Sequence, residues 1–147
     1  MRRLTMFGII VAASTSAAFA QAESVREPVT IESYYRIKWG SAEEFKRLYK
    51  ANHEPILREL QREGYITTMK MEEPFNHLAG GPRWDLRVTI TYRDAPAAVV
   101  VGGAFDKASD AAKARLYPNA EKLKKDEAAR FALLDDHWDV IVVPVGP

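Results

Sequence analysis

The sequence of 147 residues predicts an α+β domain with one four-stranded antiparallel sheet and helices on one of its faces. The first observation behind this prediction is that apolar and polar residues alternate in four separate stretches, which is the period of a half-buried strand. The second is that apolar residues recur at helical spacing after the first stretch and again before the last one. The third is that glycine and proline residues separate these segments. Together they predict the order strand, helix, strand, strand, helix, strand.

Four strands are predicted from this alternation, over residues 29–39, 65–72, 84–92 and 138–145. A loop with two glycines and two prolines, residues 73–83, separates the second strand from the third. The faces expected to be apolar carry Ile31, Ser33, Tyr35 and Ile37, then Tyr65, Thr67, Met69 and Met71, then Trp84, Leu86, Val88, Ile90 and Tyr92. The opposite, polar faces carry Glu32, Tyr34, Arg36 and Lys38, then Ile66, Thr68, Lys70 and Glu72, then Asp85, Arg87, Thr89 and Thr91.

The first helix is predicted between Ser41 and Gly64. Ser41 and Glu44 have the spacing of a capping box, and glycine is the residue type that most often ends a helix. Pro55 lies inside this helix and has no N–H to donate, so a kink is expected at residues 51–53. The apolar positions at helical spacing are Phe45, Leu48, Tyr49, Ile56 and Leu60.

The second helical crossover is predicted to be long and divided. Asp94 is expected to cap a first segment, the glycine pair 102–103 to interrupt it, and the alanine-rich residues 106–116 to form a second segment. Pro118 breaks the chain again, and Asn119 can cap a last helix. The face shared by that helix is expected to carry Ala120, Leu123, Glu127, Phe131 and Leu134.

This order is the split βαβ arrangement of ferredoxin-like domains, in which the first and third strands are antiparallel neighbours. The apolar side of the sheet then packs on the helices. On the polar side, Glu32 or Arg36 can pair with Arg87 or Asp85 across the ladder. Two interpretations of this polar side stay open: a solvated surface of ion pairs, or a second buried surface that faces a partner subunit.

The opening segment YYRIKWGSAEEFKRLYK, residues 34–50, resembles the start of the dimeric α/β-barrel superfamily, where a strand and a glycine precede a helix of the type E-E-F-x-x-L-Y. The similarity in topology covers residues 29–145. It implies ferredoxin-like domains that pair sheet to sheet as a homodimer, with a cavity on each sheet. The superfamily includes oxygenases, haem enzymes, small-ring isomerases and proteins without known activity, so the resemblance implies no particular reaction.

Residues 1–20 have the pattern of a cleavable signal peptide. Two arginines precede a short apolar run, and Ala18-Phe19-Ala20 matches the small-x-small cleavage pattern. We therefore expect a periplasmic or secreted protein with no stable membrane anchor after cleavage. The segment 21–28 is expected to be a flexible leader, and residues 29–147 to form a single domain.

Composition argues against several classes of function. The whole chain has 21 basic and 20 acidic residues, and the loss of the two N-terminal arginines leaves 19 basic against 20 acidic, a net charge of −1. Without a basic excess, and with export predicted, a nucleic-acid partner is not expected. The absence of cysteine excludes disulfides, thiol nucleophiles and zinc sites with sulfur ligands.

Two histidines are the candidate catalytic residues. His53 lies near the expected kink, at a helix–sheet border where pockets often form. His53-Glu54 begins like the zinc motif HExxH, but residue 57 is leucine, so no metal site is predicted. His77 lies in the loop, where binding groups often occur on a rigid scaffold. The alternative for both is a structural or surface histidine, and His137, just before the predicted last strand, is assigned only that role.

The candidate ligand-binding residues lie on or beside the predicted polar face, and they are Tyr34, Arg36, Arg87, Asp85 and Trp84. Arg36 and Arg87 can hold a carboxylate through paired hydrogen bonds, or they can be neutralised by acidic residues such as Asp85. Tyr34 can donate a hydroxyl to a ligand, and Trp84 can form the wall of a cavity. The alternative for both aromatic residues is packing within the sheet.

These residues support one leading function and two alternatives. The leading interpretation is an exported homodimer that binds a small molecule in a pocket on the polar sheet face, with no assignable reaction. The first alternative is a cofactor-independent or haem-linked oxygenase or isomerase that uses His53 or His77 with Arg36 and Arg87. The second is a structural or stress-related partner protein without catalysis. No cofactor is predicted, and haem is the alternative that the resemblance leaves open.

Overall fold

The structure, a computed structural model, describes residues 27–76, 78–81 and 83–145. The four strands form one sheet in which the second strand of the chain lies at one edge and is followed by the third, the first and the fourth, and every neighbouring pair is antiparallel. This is the ferredoxin-like arrangement, so the predicted fold class with its long helical second crossover is confirmed. The predicted signal peptide, most of the leader and His77 lie outside the described residues. The elements are β1 (Val29–Ile37), α1 (Ala42–Leu48), a π-helical turn (Tyr49–His53), α2 (Glu54–Arg62), β2 (Ile66–Glu72), β3 (Leu86–Tyr92), α3 (Ala95–Val99), α4 (Ala104–Leu116), α5 (Ala120–Ala132) and β4 (Leu134–Val142).

The two faces of the sheet differ in what covers them. On the inner face, which the helices cover, Tyr35 lies opposite Leu86 of β3 and His137 of β4. On the outer face, Tyr34 lies opposite Arg87 and Trp138. Within the described ranges, no helix is long and apolar enough to cross a membrane. The core between the inner face and the helices consists of Tyr35, Ile37, Phe45, Tyr49, Ile56, Leu57, Leu60, Ile66, Leu86, Val88, Ile90 and Ala112.

The kink predicted before Pro55 takes the form of the π-helical turn. The N–H of Glu54 donates to the carbonyl of Tyr49, five residues earlier, and Pro55 then lies in the first turn of α2, where its missing N–H costs least. An α-helical bond from Pro55 to the carbonyl of Ala51 cannot form. The hydroxyl of Tyr117 donates to that carbonyl instead, at 2.7 Å. A residue from the second crossover therefore satisfies the group that the proline leaves unpaired.

Two of the three predicted helix caps form. The side chains of Asp94 and Asn119 each accept a hydrogen bond from the backbone N–H three residues on, at 2.8 and 2.9 Å. The prediction of a capping box at Ser41 is wrong. The Ser41 side chain makes no cap hydrogen bond, and its backbone is not in the extended conformation that a cap requires. Glu44 instead accepts two hydrogen bonds from Arg47, both at 2.7 Å.

The second and third strands depart from strict alternation. A register shift between Ile66 and Thr68 turns Ile66 to the inner face, where it is only 1% exposed. The prediction that Ile66 belongs to the polar face is therefore wrong. β3 begins two residues after Trp84, whose ring packs against Tyr34 of the outer face with centroids 5.8 Å apart. The expected place of Trp84 on the apolar face is also wrong, because the residue lies before the start of the strand.

The last helix ends and the last strand begins earlier than predicted. α5 ends at Ala132, and β4 begins at Leu134, four residues before the predicted start at 138. Pairing of Leu134 with Ile37 extends the ladder through two aspartates, a residue type that strands disfavour. The phase of α5 also differs from the prediction, because Phe131 is 52% exposed whereas Arg130 is buried.

Candidate functional site

A cavity of about 320 Å³ lies between the inner face of the sheet and the helices, and we call it the inner cavity. Its sheet wall includes Tyr35 and His137, which are paired across β1 and β4 with ring centroids 4.4 Å apart. The π-helical turn supplies Tyr49 and His53, and α5 supplies Arg130. Its apolar walls include Ile56, Leu57, Leu60, Ile90 and Phe105, and its remaining polar lining includes Ser33, Ser109, Lys113, Glu127 and Asp139.

His53 is held as a neutral imidazole in this cavity. Its ring packs edge-on against Tyr49, with centroids 5.0 Å apart. Burial lowers the pKa of His53 to about 4 from its ordinary 6.5, and the positive charges of Arg130 and Lys113 add to this effect. At neutral pH, one nitrogen of the ring is therefore free to accept a proton or a hydrogen bond.

Three tyrosines of the cavity stay protonated as neutral phenols. Burial raises the pKa of Tyr35 and Tyr49, and it raises the pKa of Tyr92 to about 12. The ring of Tyr35 lies edge-on to that of Tyr49 at 5.9 Å. Each phenol can donate a hydrogen bond to an oxygen atom of a ligand, which a phenolate could not do.

Arg130 enters the cavity without an acidic partner. The residue is 2% exposed, and its side chain makes no ion pair or hydrogen bond with any residue in the part of the chain that the structure describes. Its guanidinium carbon lies 5.8 Å from the ring centre of Phe45, 5.5 Å from Tyr49 and 4.5 Å from Phe131. Cation–π attraction from these rings holds the charge in position.

The cavity also has an acidic edge on β4 and β1. The hydroxyl of Ser33 donates to Asp139 Oδ1 at 2.5 Å, and Nε2 of His137 lies 3.9 Å from the same carboxylate oxygen. Asp139 therefore holds the Ser33 hydroxyl by a hydrogen bond, while the His137 imidazole lies beside it, beyond hydrogen-bond distance.

The predicted ligand-binding residues Tyr34, Trp84 and Arg87 lie on the outer face and do not line the inner cavity. The Tyr34 ring stacks on that of Trp138 with centroids 5.4 Å apart, and its hydroxyl donates to Glu32 at 2.5 Å. Arg87 donates to a carboxylate of β2 at 2.8 Å, and its guanidinium lies 5.6 Å from the ring centre of Trp84. These side chains contact one another across the strands.

Arg36 and Asp85, the other two predicted ligand-binding residues, also have partners within the sheet. Arg36 pairs with Asp136 of β4 at 2.5 Å. Asp85 accepts from the N–H of Ile37 at 2.7 Å and pairs with Arg83 at 2.9 Å. Arg36 and Arg87 are thus neutralised by separate carboxylates, so the arrangement follows the predicted alternative in which the charges of the sheet pair with one another. A ligand role for these residues stays a prediction.

Of the two candidate catalytic histidines, His53 lies in the inner cavity and His77 falls outside the described residues. Sequence reasoning missed Tyr49 and Arg130 as site residues. Tyr49 precedes His53 by four positions, which places both on one side of a helix, and that spacing is readable from the chain. Arg130 lies among charged residues of α5, and no sequence pattern marks it as buried. His137 lines the cavity because it is paired with Tyr35 across β1 and β4, which the sequence does not reveal.

The described residues contain no cluster of three or more histidine, cysteine, aspartate or glutamate side chains suited to hold a metal ion. Haem would need an imidazole that faces open space wide enough for its flat ring. His53 instead packs against Tyr49, and a cavity of about 320 Å³ is near the lower end of the range of about 300–1,000 Å³ for small-molecule sites. These residues do not fit haem.

Comparison with known proteins gives similarities of fold only. No protein-family model matches the sequence, and no curated protein matches it. Solved structures similar to this chain include a NIPSNAP family protein from Agrobacterium tumefaciens, with 14% identity over 81% of this chain and 94% of that one and a TM-score of 0.44. A Dabb family protein with a ferredoxin-like fold from Mesorhizobium loti has 10% identity over 81% and 98%, with a TM-score of 0.46. An ethyl tert-butyl ether D family protein from Bacillus halodurans has 18% identity over 81% and 100%, with a TM-score of 0.47.

Proposed function

We propose that this chain is an exported homodimer that binds a small organic molecule in the inner cavity. The observation that carries the proposal is the combination of apolar walls with a few convergent polar groups, His53, Tyr35, Tyr49 and Arg130, around about 320 Å³. Small-molecule sites have this composition and start at about this volume. The proposal moves the predicted pocket from the outer face to the inner one, since the outer-face side chains named above contact one another.

Proton transfer is the second candidate function, and the neutral state of His53 favours it. At neutral pH the unprotonated nitrogen of His53 can take a proton from a carbon acid, but a pKa of about 4 makes it a weak base, so the C–H group must be strongly activated, as it is between two carbonyl groups. The phenols of Tyr35 and Tyr49 can donate hydrogen bonds to the oxyanion that results. Return of the proton to another carbon would complete an isomerisation without any cofactor.

The side chains exposed on the outer face support a homodimer that pairs sheet to sheet. The stacked rings of Tyr34 and Trp138 lie beside Val140 and Val142, which are 43% and 42% exposed. Aromatic and aliphatic side chains on a sheet surface are the composition of an interface core. A second copy placed sheet to sheet would remove these side chains from water. The N-terminal pattern of residues 1–20 supports the proposed export.

The binding proposal is tested with a matched pair of substitutions in α4. Ser109 lines the inner cavity, whereas Ala111 is exposed on the same helix. Native mass spectrometry of protein purified from the periplasm should detect a retained small molecule in the wild type and in Ala111→Phe, and should lose it in Ser109→Phe. Retention that is equal in both variants, or no retained molecule in the wild type, would contradict the proposal.

The homodimer is tested on β4, where Val140 and Ile141 face opposite sides of the sheet. Both are exposed, so each arginine substitution should leave the fold intact. Light scattering at micromolar concentration should report a dimer for the wild type and for Ile141→Arg, and a monomer for Val140→Arg. A monomeric wild type, or a Val140→Arg variant that stays dimeric, would contradict pairing through the outer face.

A further inference from the structure

Arg130 differs from the other arginines that the structure describes. Every other one of them forms an ion pair with a carboxylate, and most of these pairs are at the surface. Arg130 is 2% exposed, lines the inner cavity and has no carboxylate within the described ranges to balance its charge. Its buried Nε–H also has no hydrogen-bond acceptor.

A buried cation without a partner opposes folding unless something else compensates it. The rings of Phe45, Tyr49 and Phe131 compensate part of this cost, because they lie 4.5 to 5.8 Å from the guanidinium carbon. Aromatic rings offer no acceptor for the N–H groups in the plane of the guanidinium. The group is therefore held in a fixed orientation while its hydrogen-bonding capacity is unused.

The carboxylates around the cavity do not neutralise Arg130. Asp139 is engaged by Ser33 and lies beside His137, and neither it nor Glu127, one helical turn before Arg130, is within ion-pair distance of the guanidinium. Lys113 adds a second positive charge to the lining, although it also pairs with a carboxylate one turn earlier, at 3.2 Å. The positive charge of Arg130 thus faces the cavity with neither of the lining carboxylates at ion-pair distance.

We infer that the ligand of the inner cavity is a hydrophobic carboxylic acid whose carboxylate pairs with Arg130 while its apolar body packs against Ile56, Leu60 and Phe105. This inference rests on the proposed function, because it names the class of molecule that the same cavity takes. A planar guanidinium matches a carboxylate through two parallel hydrogen bonds, and it prefers this to any neutral group. The aliphatic and aromatic side chains of the wall give an apolar ligand body a surface to pack against.

The test uses two probes that differ in charge but share one ring, benzoate and benzamide, at pH 7 with the exported protein. Binding is followed by NMR through the ring protons of His53, which lies in the same cavity. Because a guanidinium forms stronger hydrogen bonds with a carboxylate than with a neutral amide, we expect benzoate to bind at least about tenfold more tightly than benzamide. Arg130→Gln should reduce this ratio to about one, and Arg130→Lys should restore part of it. Arg58→Gln, which removes a surface arginine paired with Glu54, should leave it unchanged.

The outcomes separate the two proposals. If benzamide shifts the His53 signals and benzoate binds no more tightly, the cavity binds small molecules but the inference about charge is overturned. The same holds if the preference for benzoate persists in Arg130→Gln. If neither probe perturbs His53 at millimolar concentration, binding in the inner cavity fails, and the inference fails with it. The wild-type comparison decides the inference even if the Arg130 variants do not fold.

Discussion

Acidification should destabilise this protein through His53 before its carboxylates are protonated. The native state keeps His53 neutral down to about pH 4, whereas the unfolded chain protonates a histidine near pH 6.5. Between these values the unfolded state binds more protons than the native state. The free energy of unfolding must therefore fall as the pH falls through this window.

The size of the effect follows from the two pKa values. Proton linkage with these two values lowers the free energy of unfolding by about 2 kcal/mol at pH 5 and by about 3 kcal/mol at pH 4, relative to pH 8. A domain of this size has a total stability of about 5–15 kcal/mol, so such a loss is easily measured. His53→Gln removes the titrating group while it keeps a polar side chain of similar length.

The assay is urea denaturation followed by circular dichroism at pH 8, 6 and 5, for the wild type and for His53→Gln. Other groups titrate in both proteins, so the difference between their unfolding free energies isolates His53. We expect this difference to change by about 2 kcal/mol between pH 8 and pH 5, with the wild type losing more. A difference that stays constant within about 0.5 kcal/mol would show that His53 titrates normally in the native state, and the argument for a half-buried neutral imidazole would fail.

Three further predictions concern the fold that supports the cavity, and each is measured as a change in the free energy of unfolding by urea denaturation. Tyr117→Phe should cost about 1 kcal/mol, because it removes the hydrogen bond to the carbonyl of Ala51; no loss would mean that water satisfies that carbonyl equally well. Leu60→Ala should cost about 2–5 kcal/mol, since this side chain is fully buried between α2 and the sheet. Asp94→Ala should cost about 1 kcal/mol and more than Asn119→Ala, because the first cap is buried and the second is exposed; equal losses would contradict this.

The two faces of the sheet divide the chemistry of the molecule. The outer face holds aromatic stacking and paired charges, which suits contact with another protein surface. The inner cavity holds groups that have no partner or an altered pKa, which is typical of a binding or catalytic site. A variant such as Val140→Arg should therefore change assembly without changing the His53 signals.

Local patterns were sufficient for the element types. The alternation in residues 86–92 and the caps at Asp94 and Asn119 depend on neighbours in the chain, and the structure has them as predicted. Predictions were wrong where the face or the start of a strand depends on pairing with a distant strand. Ile66 reached the core because a bulge in the pairing with β3 altered its face, and β4 began early because β1 offered it a partner.

The candidate site was predictable only in part. The position of His53 near a proline-induced irregularity pointed to a pocket, because both features lie on one segment of chain. Trp84 was misplaced because the sequence pattern extended β3 by two residues. Arg130 could not be found, since its burial depends on the rotation of α5 against α1 and the sheet. A one-residue change in that phase would have buried Phe131 in its place.

By itself, the sequence determined the order of the elements, the strand topology that this order favours and the apolar side of the sheet. These follow from side-chain periods of about two and 3.6 residues, which are local properties of the backbone. Only the tertiary structure decided that His53, Tyr35, His137 and Arg130 share one cavity, and that Arg130 faces it without a counter-charge. Those residues come from four separate elements, so their meeting depends on strand pairing and helix packing between distant parts of the chain.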